Sequence, residues 1–209
     1  MITIEFARTL YPADADSAHD FDHVLRVVAM ADRIARAEGA DRNIVRTAAL
    51  LHDIGLDGGR AGHETAAAAR AKEILLERGY DEVFSEAVAH AIEAHRFRSG
   101  PTPQTLEAQV LFDADKLDAI GAIGVARAFA FGAHRGQRLW GTVPDDYIDQ
   151  LNGVEADPHE HTAVHEFHVK LSKIKDRLFT ATGKKIAAER HAFMVEFYAQ
   201  LDREVKGTA

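Results

Sequence analysis

The 209-residue chain contains no cysteine. That excludes disulfides, thiolate metal sites and cysteine nucleophiles together, and it fits an expected cytoplasmic location. No apolar run reaches the roughly 18–20 residues that a membrane-spanning helix requires. The start, Met1-Ile2-Thr3-Ile4-Glu5-Phe6, has no basic stretch followed by an apolar block, so no signal peptide is expected. Positive charge is in deficit: 25 Lys and Arg face 33 Asp and Glu, a net charge of −8. This argues against a surface for duplex nucleic acid, which needs a basic footprint. It leaves room for one nucleotide in a pocket, where a metal and a few basic residues suffice. Familiar catalytic signatures are missing too. There is no Gly-rich phosphate loop with Lys-Ser/Thr, no dinucleotide fingerprint and no nucleophile elbow. His63-Glu64 lacks the second His of a zinc-protease helix. Internal repeats and low-complexity tracts are absent.

What is present is apolar and helical. Hydrophobic residues make up 46% of the chain, enough for a full core. The spacing predicts a helix over 18–38 with Val24, Val27, Val28, Ala31, Ile34 and Ala35 on one face and Gly39 as its C-terminal cap. Asp41 then caps a helix through Ile44, Ala48 and Leu51 that ends at His52-Asp53. Further helices are expected over about 63–78, about 82–96 (Phe84, Val88, Ile92, His95), and from Pro103 with Thr102 as N-cap. Small residues at 119–126 allow close helix approach. Residues 132–161 read as irregular. Two helices follow over about 160–180 (Val164, Phe167, Leu171, Ile174, Leu178) and 184–205 (Ile186, Arg190, Phe193, Phe197, Leu201). The expected fold class is all-α, as one domain over 1–209.

Twelve histidines are many for this length. Some are expected as ligands or phosphate contacts, most as surface residues. Three segments stand out: His23-Val24-Leu25-Arg26-Val27, Leu51-His52-Asp53-Ile54-Gly55 and Asp113-Ala114-Asp115-Lys116-Leu117-Asp118. Two imidazoles and two carboxylates on separate helical segments offer the mixed nitrogen and oxygen ligation that first-row divalent metals accept. His23 lines up with Val27, Met30 and Ile34, toward the interior. A single inward His is more often a hydrogen-bonded core residue than a ligand. Asp115 lies in line with Leu111 and Ala119. A lone buried carboxylate is costly, and carboxylates facing imidazoles are relieved by a cation.

At these residues the chain resembles the HD superfamily of metal-dependent phosphohydrolases. The family's first His matches His23, its His-Asp pair matches His52 and Asp53, and its distant Asp matches Asp115. The resemblance covers roughly residues 17–130. The continuation Lys116-Leu117-Asp118-Ala119-Ile120-Gly121-Ala122-Ile123-Gly124 is similar to the small stand-alone bacterial branch. The resemblance implies a helical bundle of the HD type, with C-terminal helices of about 160–205 packed on the core. It implies one divalent transition metal (Mn, Co, Ni, Fe or Zn, with Mg allowed) and hydrolysis of a phosphate ester or anhydride. A nucleotide substrate is an extension of that reading. A homodimer is allowed.

Around the four ligands the alternatives stay open. His19-Asp20 is a second His-Asp pair that either orients a ligand or belongs to a helix cap. In nucleotide-hydrolysing relatives a carboxylate soon after the pair positions the attacking water, and Asp57 lies four residues past Asp53. Many relatives carry Lys where this chain has Leu56. Glu64 is the competing base, or simply favours a positive helix N-terminus. His63, His95, Arg96 and Arg127 are candidate substrate contacts. Lys116 either neutralises a phosphate or pairs with a carboxylate. His90 is expected at the surface. Lys170 and Arg190 are weaker candidates, as snorkelling residues. Two rivals remain: a two-iron oxidative enzyme using His63 and His95 as extra ligands, and a binding module without catalysis.

Overall fold

The computed structural model describes residues 2–12, 21–54, 63–96, 101–147, 157 and 160–209, with His63 described in its backbone only. Asp57, His19, Asp20 and the side chain of His63 therefore lie outside the described residues. The fold is all-α, without strands among the described residues. The helices are α1 (Ile4–Arg8), α2 (Phe21–Glu38), α3 (Arg42–Leu51), α4 (His63–Glu77), α5 (Glu82–Glu93), α6 (Leu106–Asp118), α7 (Gly121–His134), α8 (Ala163–Val169) and α9 (Ala181–Val205), with a 3₁₀ turn at Leu171–Arg177. The chain divides into two compact units, one of Met1–Asp118 with Leu178–Gly183, the other of Ala119–Arg177 with Lys184–Ala209. No described helix is long and apolar enough to cross a membrane.

In the first unit α3 is the central element, packed by α1, α2, α5 and α6. Val45, Thr47, Ala48, Ala49, Leu50 and Leu51 are all buried, a wider face than the i, i+4, i+7 row predicts. Asp41 caps α3 as expected, accepting from the backbone N–H of Asn43 at 2.8 Å and Ile44 at 3.3 Å. Gly39 adopts φ 79°, so Ala40 N–H can turn back to the Ala35 carbonyl and close α2. Two boundaries differ from the pattern. Residues 101–105 are not helical: Thr105, not Thr102, caps α6 by accepting from Ala108 N–H at 3.2 Å. Helix α5 ends at Glu93, before His95, because Ala94 leaves helical geometry at φ −86°, ψ 0°. The short α1 has no sequence period to reveal it. Thr3 caps it, and the nearby Tyr11 donates its hydroxyl to the Leu50 carbonyl at 3.0 Å.

The second unit is built on aromatic packing. Phe167 and Tyr198 stack with centroids 4.5 Å apart, and Phe129 lies 6.3 Å from Tyr198. This pairing turns α9 so that Ile186, Ala187, Met194 and Tyr198 are buried. Phe193, expected on the buried row, is 44% exposed. Helix α7 runs on to His134, past the expected start of irregular structure at 132. The helix expected over 160–180 breaks at Lys170 (φ −132°) into α8 and the 3₁₀ turn. Its apolar row survives, since Leu171 and Ile174 are three apart, the 3₁₀ period. His161 sits between Tyr147 (3.0 Å) and Glu166 (3.1 Å), and His165 is buried, 2.8 Å from Thr162 Oγ1.

One fully buried carboxylate fixes the returning segment of the first unit. Asp113 accepts from Phe179 N–H at 2.9 Å, from Thr180 N–H at 2.8 Å and from the Thr180 hydroxyl at 2.6 Å. Gly183 leaves it room, as a Cβ there would lie 2.4 Å from Asp113 Oδ2. Asp113→Ala should strand these donors and cost about 3 kcal/mol of stability, read as a lowered urea midpoint. Gly183→Ala should act in the same direction through the clash.

Candidate metal centre

Four elements of the first unit bring their ionisable side chains to one place. α2 supplies His23 near its start, the end of α3 supplies His52 and Asp53, the turn just beyond α5 supplies His95, and α6 supplies Asp115. His23, His52 and His95 are all at most 3% exposed, and Asp53 is buried. Leaving the helix at His52 lets two successive side chains face the same point, with His52 Nε2 3.4 Å from Asp53 Oδ2.

Each imidazole is held by its Nδ1. His52 Nδ1–H donates to the Ala49 carbonyl at 2.9 Å, and His95 Nδ1–H donates to the Ile92 carbonyl. A carbonyl oxygen only accepts, so these protons sit on Nδ1, and in the neutral form of each ring the lone pair is on Nε2. His23 Nδ1 is 2.7 Å from Asp118 Oδ2, which assigns its Nδ1 as a donor too. The Nε2 atoms of His23 and His52 then face each other at 3.3 Å. Two lone pairs at that distance repel unless a proton or a cation lies between them. Carboxylates close the cluster: His23 Nε2 is 3.4 Å from Asp115 Oδ1 and 3.8 Å from Asp53 Oδ2. Without a cation a proton fills the gap. Burial pulls the His23 pKa down, but Asp115, Asp118 and Asp53 outweigh it and lift it to about 9. Burial likewise opposes the charge on Asp115, and Lys116 and His23 reverse this, holding it well below the usual carboxylate range.

The donor set fits a divalent ion. One ligand atom each from His23, His52 and Asp115 lie within 4.8 Å of one another. Ligand atoms around a single ion at about 2.0–2.2 Å are themselves about 3–4 Å apart. Nitrogen and carboxylate oxygen without sulfur suits Mn, Fe, Co, Ni or Zn.

The other candidates fall into distinct places. His95 Nε2 lies 3.6 Å from Asp53 Oδ1, and its ring packs edge-on against that of His52, with centroids 5.3 Å apart. Glu64 and Arg96, one expected as base and the other as phosphate contact, bind each other at 2.8 and 3.0 Å. Lys116 is hydrogen-bonded to Asp115 and stands over the Phe112 ring at 5.5 Å. Arg127 is on α7, in the second unit, and is half-buried. His90, expected at the surface, is half-buried and accepts from the Gln104 N–H at 3.4 Å. Sequence reasoning missed Asp118 and Arg26 as parts of the site. The available signal was their spacing, three residues after Asp115 and after His23.

Because each ligand atom has a separate anchor, no neighbour can replace it. His52→Ala and Asp115→Ala should each lower Mn²⁺ affinity by more than the roughly 10–100-fold typical of losing an outer partner. Calorimetric titration of the metal-stripped protein checks this. Wild-type affinity in Asp115→Ala would remove that carboxylate from the site.

Comparison with known proteins places these residues in a common frame. The family model described as HD domain matches residues 20–120, which carry all four expected ligands. An uncharacterized Bacillus subtilis protein, YpgQ, is 35% identical over 198 residues, covering 93% of this chain and 88% of its own length. The crystal structure of B. subtilis YpgQ in complex with ADP superposes with a TM-score of 0.73 at 31% identity, covering 96% of this chain and 92% of that one. An HD-superfamily hydrolase from Bacillus thuringiensis gives a TM-score of 0.73 at 30% identity, with coverage of 97% and 94%. The family match, the identity over most of both chains and the structural likeness lead to one assignment: this chain belongs to the HD-domain family.

Proposed function

We propose that the chain is a metal-dependent phosphohydrolase that cleaves a phosphate ester or anhydride of a nucleotide. The observation that carries the proposal is the approach of His52 Nε2, Asp115 Oδ1 and Asp53 Oδ2 to the buried His23 Nε2 at 3.3, 3.4 and 3.8 Å, with His23, His52 and Asp115 as the group whose ligand atoms all lie within 4.8 Å of one another and Asp53 beside it, 3.4 Å from His52. These four residues would hold one divalent transition ion. When bound, such an ion polarises a phosphoryl oxygen and lowers the pKa of water toward neutrality. The ADP complex of YpgQ supports the nucleotide part, and the relatives named as hydrolases support the reaction class.

The side chains have separable tasks. His23 and His52 present neutral nitrogen donors whose tautomers are fixed from behind. Asp115 and Asp53 bring the negative charge, and Lys116 offsets part of it at Asp115. His95 faces the remaining oxygen of Asp53 and would steady that carboxylate or a phosphate oxygen beside it. Arg96 sits next to this group but is engaged by Glu64, so a substrate phosphate would compete with Glu64 for the guanidinium. That engagement makes Glu64 the weaker candidate base and leaves Asp57 as the stronger one. A base must reach the proton that it removes.

One observation favours a second reading. His95 Nε2 stands 3.6 Å from Asp53 Oδ1, so Asp53 could bridge two ions, as an oxidative two-iron centre needs. Activity separates the two. With Mn²⁺, Co²⁺ or Ni²⁺ the protein should release phosphate or pyrophosphate from at least one member of a panel of nucleoside mono-, di- and triphosphates. Turnover of a generic phosphomonoester but of no nucleotide would end the nucleotide part alone. Absence of any phosphate release, with two irons per chain, would favour the oxidative reading.

A further inference from the structure

Two helices of the first unit exchange side chains in matching three-residue steps. On α2, His23 is followed one turn later by Arg26; on α6, Asp115 is followed one turn later by Asp118. The leading pair meets at the metal cluster, with His23 Nε2 3.4 Å from Asp115 Oδ1. The trailing pair meets behind it. Arg26 Nε donates to Asp118 Oδ1 at 2.8 Å, and Arg26 Nη2 donates to Asp118 Oδ2 at 3.1 Å. The same Oδ2 accepts the His23 Nδ1–H at 2.7 Å. Asp118 is 5% exposed. A buried carboxylate between an imidazole and a guanidinium can keep its charge because the fork of Arg26 supplies two charge-assisted hydrogen bonds.

We infer that Asp118, held by Arg26, is the positioning residue of this metal centre: it fixes the tautomer and orientation of His23 and thereby sets metal affinity. The assignment rests on the metal reading of the cluster. The chemistry is directional. A full negative charge on Asp118 polarises the Nδ1–H bond and raises electron density at Nε2, the atom aimed at Asp115 and His52. Of the three imidazoles that face the cluster, His23 alone is backed by a carboxylate among the bonds described; His52 and His95 are backed by neutral carbonyls. His23 should therefore be the strongest nitrogen donor, and its strength should depend on Asp118. Arg26 is one step removed. It is partly exposed, with 33% of its side chain accessible, so its replacement threatens the core less than a change at Asp118.

The test is metal affinity rather than turnover. Metal-stripped wild type, Asp118→Asn, Arg26→Gln, His23→Ala and the double variant His23→Ala/Asp118→Asn are titrated with Mn²⁺ by calorimetry, and the unfolding midpoint of each metal-free protein is measured alongside. Asp118→Asn should weaken binding by roughly 10–100-fold. Arg26→Gln should weaken it in the same direction by less, with an unfolding midpoint close to that of the wild type. In the His23→Ala background Asp118→Asn should add no further loss, since Asp118 acts through His23. A purely structural role would instead lower the affinity in both backgrounds alike. Equal affinities in wild type, Asp118→Asn and Arg26→Gln would overturn the assignment and leave the metal reading intact. Lack of Mn²⁺ uptake by the wild type would overturn the metal reading itself.

Discussion

The repulsion between two imidazole lone pairs is the constraint on which the site depends. His23 and His52 direct Nε2 atoms at each other across 3.3 Å, in a buried position, with carboxylates of Asp53 and Asp115 beside them. Nothing in hydrophobic packing asks for that arrangement. It becomes favourable only with positive charge in its middle, either a proton on His23 or a divalent ion. Each imidazole is tied at Nδ1 to an acceptor that cannot give the proton back toward the centre as a neutral carbonyl, or that is itself ionised. The rings are thus held in place from behind before any cation arrives, which is what a rigid site requires.

The scaffold serves this by burying α3 nearly all round. A helix whose last seven residues include five buried aliphatic side chains cannot rotate or slide without exposing them. Its end therefore fixes where His52 and Asp53 stand. α2 and α6 lie against it and against each other, and their three-residue step brings His23 to Asp115 and Arg26 to Asp118. Within the same α6, Asp113 faces away to hold Phe179 and Thr180. One helix thus carries three consecutive roles at 113, 115 and 118, which explains the density of carboxylates in a largely buried segment.

Much of this was legible in the sequence, for physical reasons that differ by residue. Helical periodicity placed Val24, Val27 and Ile34 inward because a long amphipathic helix repeats its signal. Asp41 and Gly39 were legible as caps because backbone needs at helix ends are local. The four candidate ligands stood out by residue type together with the family resemblance. Other features depend on partners distant in sequence. Asp118 finds its role through His23 and Arg26 on another helix, 92–95 positions earlier. The pairing of Glu64 with Arg96 could not be read from either residue alone, and it changes the expected role of both. On α9 the apolar row was read one step off, because Phe167 and Phe129 decide which face of that helix is buried. Thr102 and Thr105 are both caps by residue type, and the helix begins only after Thr105.

The central claim is that the His-carboxylate cluster holds a metal ion and that this defines the site. Anomalous X-ray scattering from crystals of the protein grown with Mn²⁺ tests it most directly. The account predicts one strong anomalous peak per chain, in contact with Nε2 of His23 and of His52 and with oxygens of Asp53 and Asp115. A peak bound to other residues, or a cluster with no peak in which His23 and Asp115 share a proton instead, would contradict it.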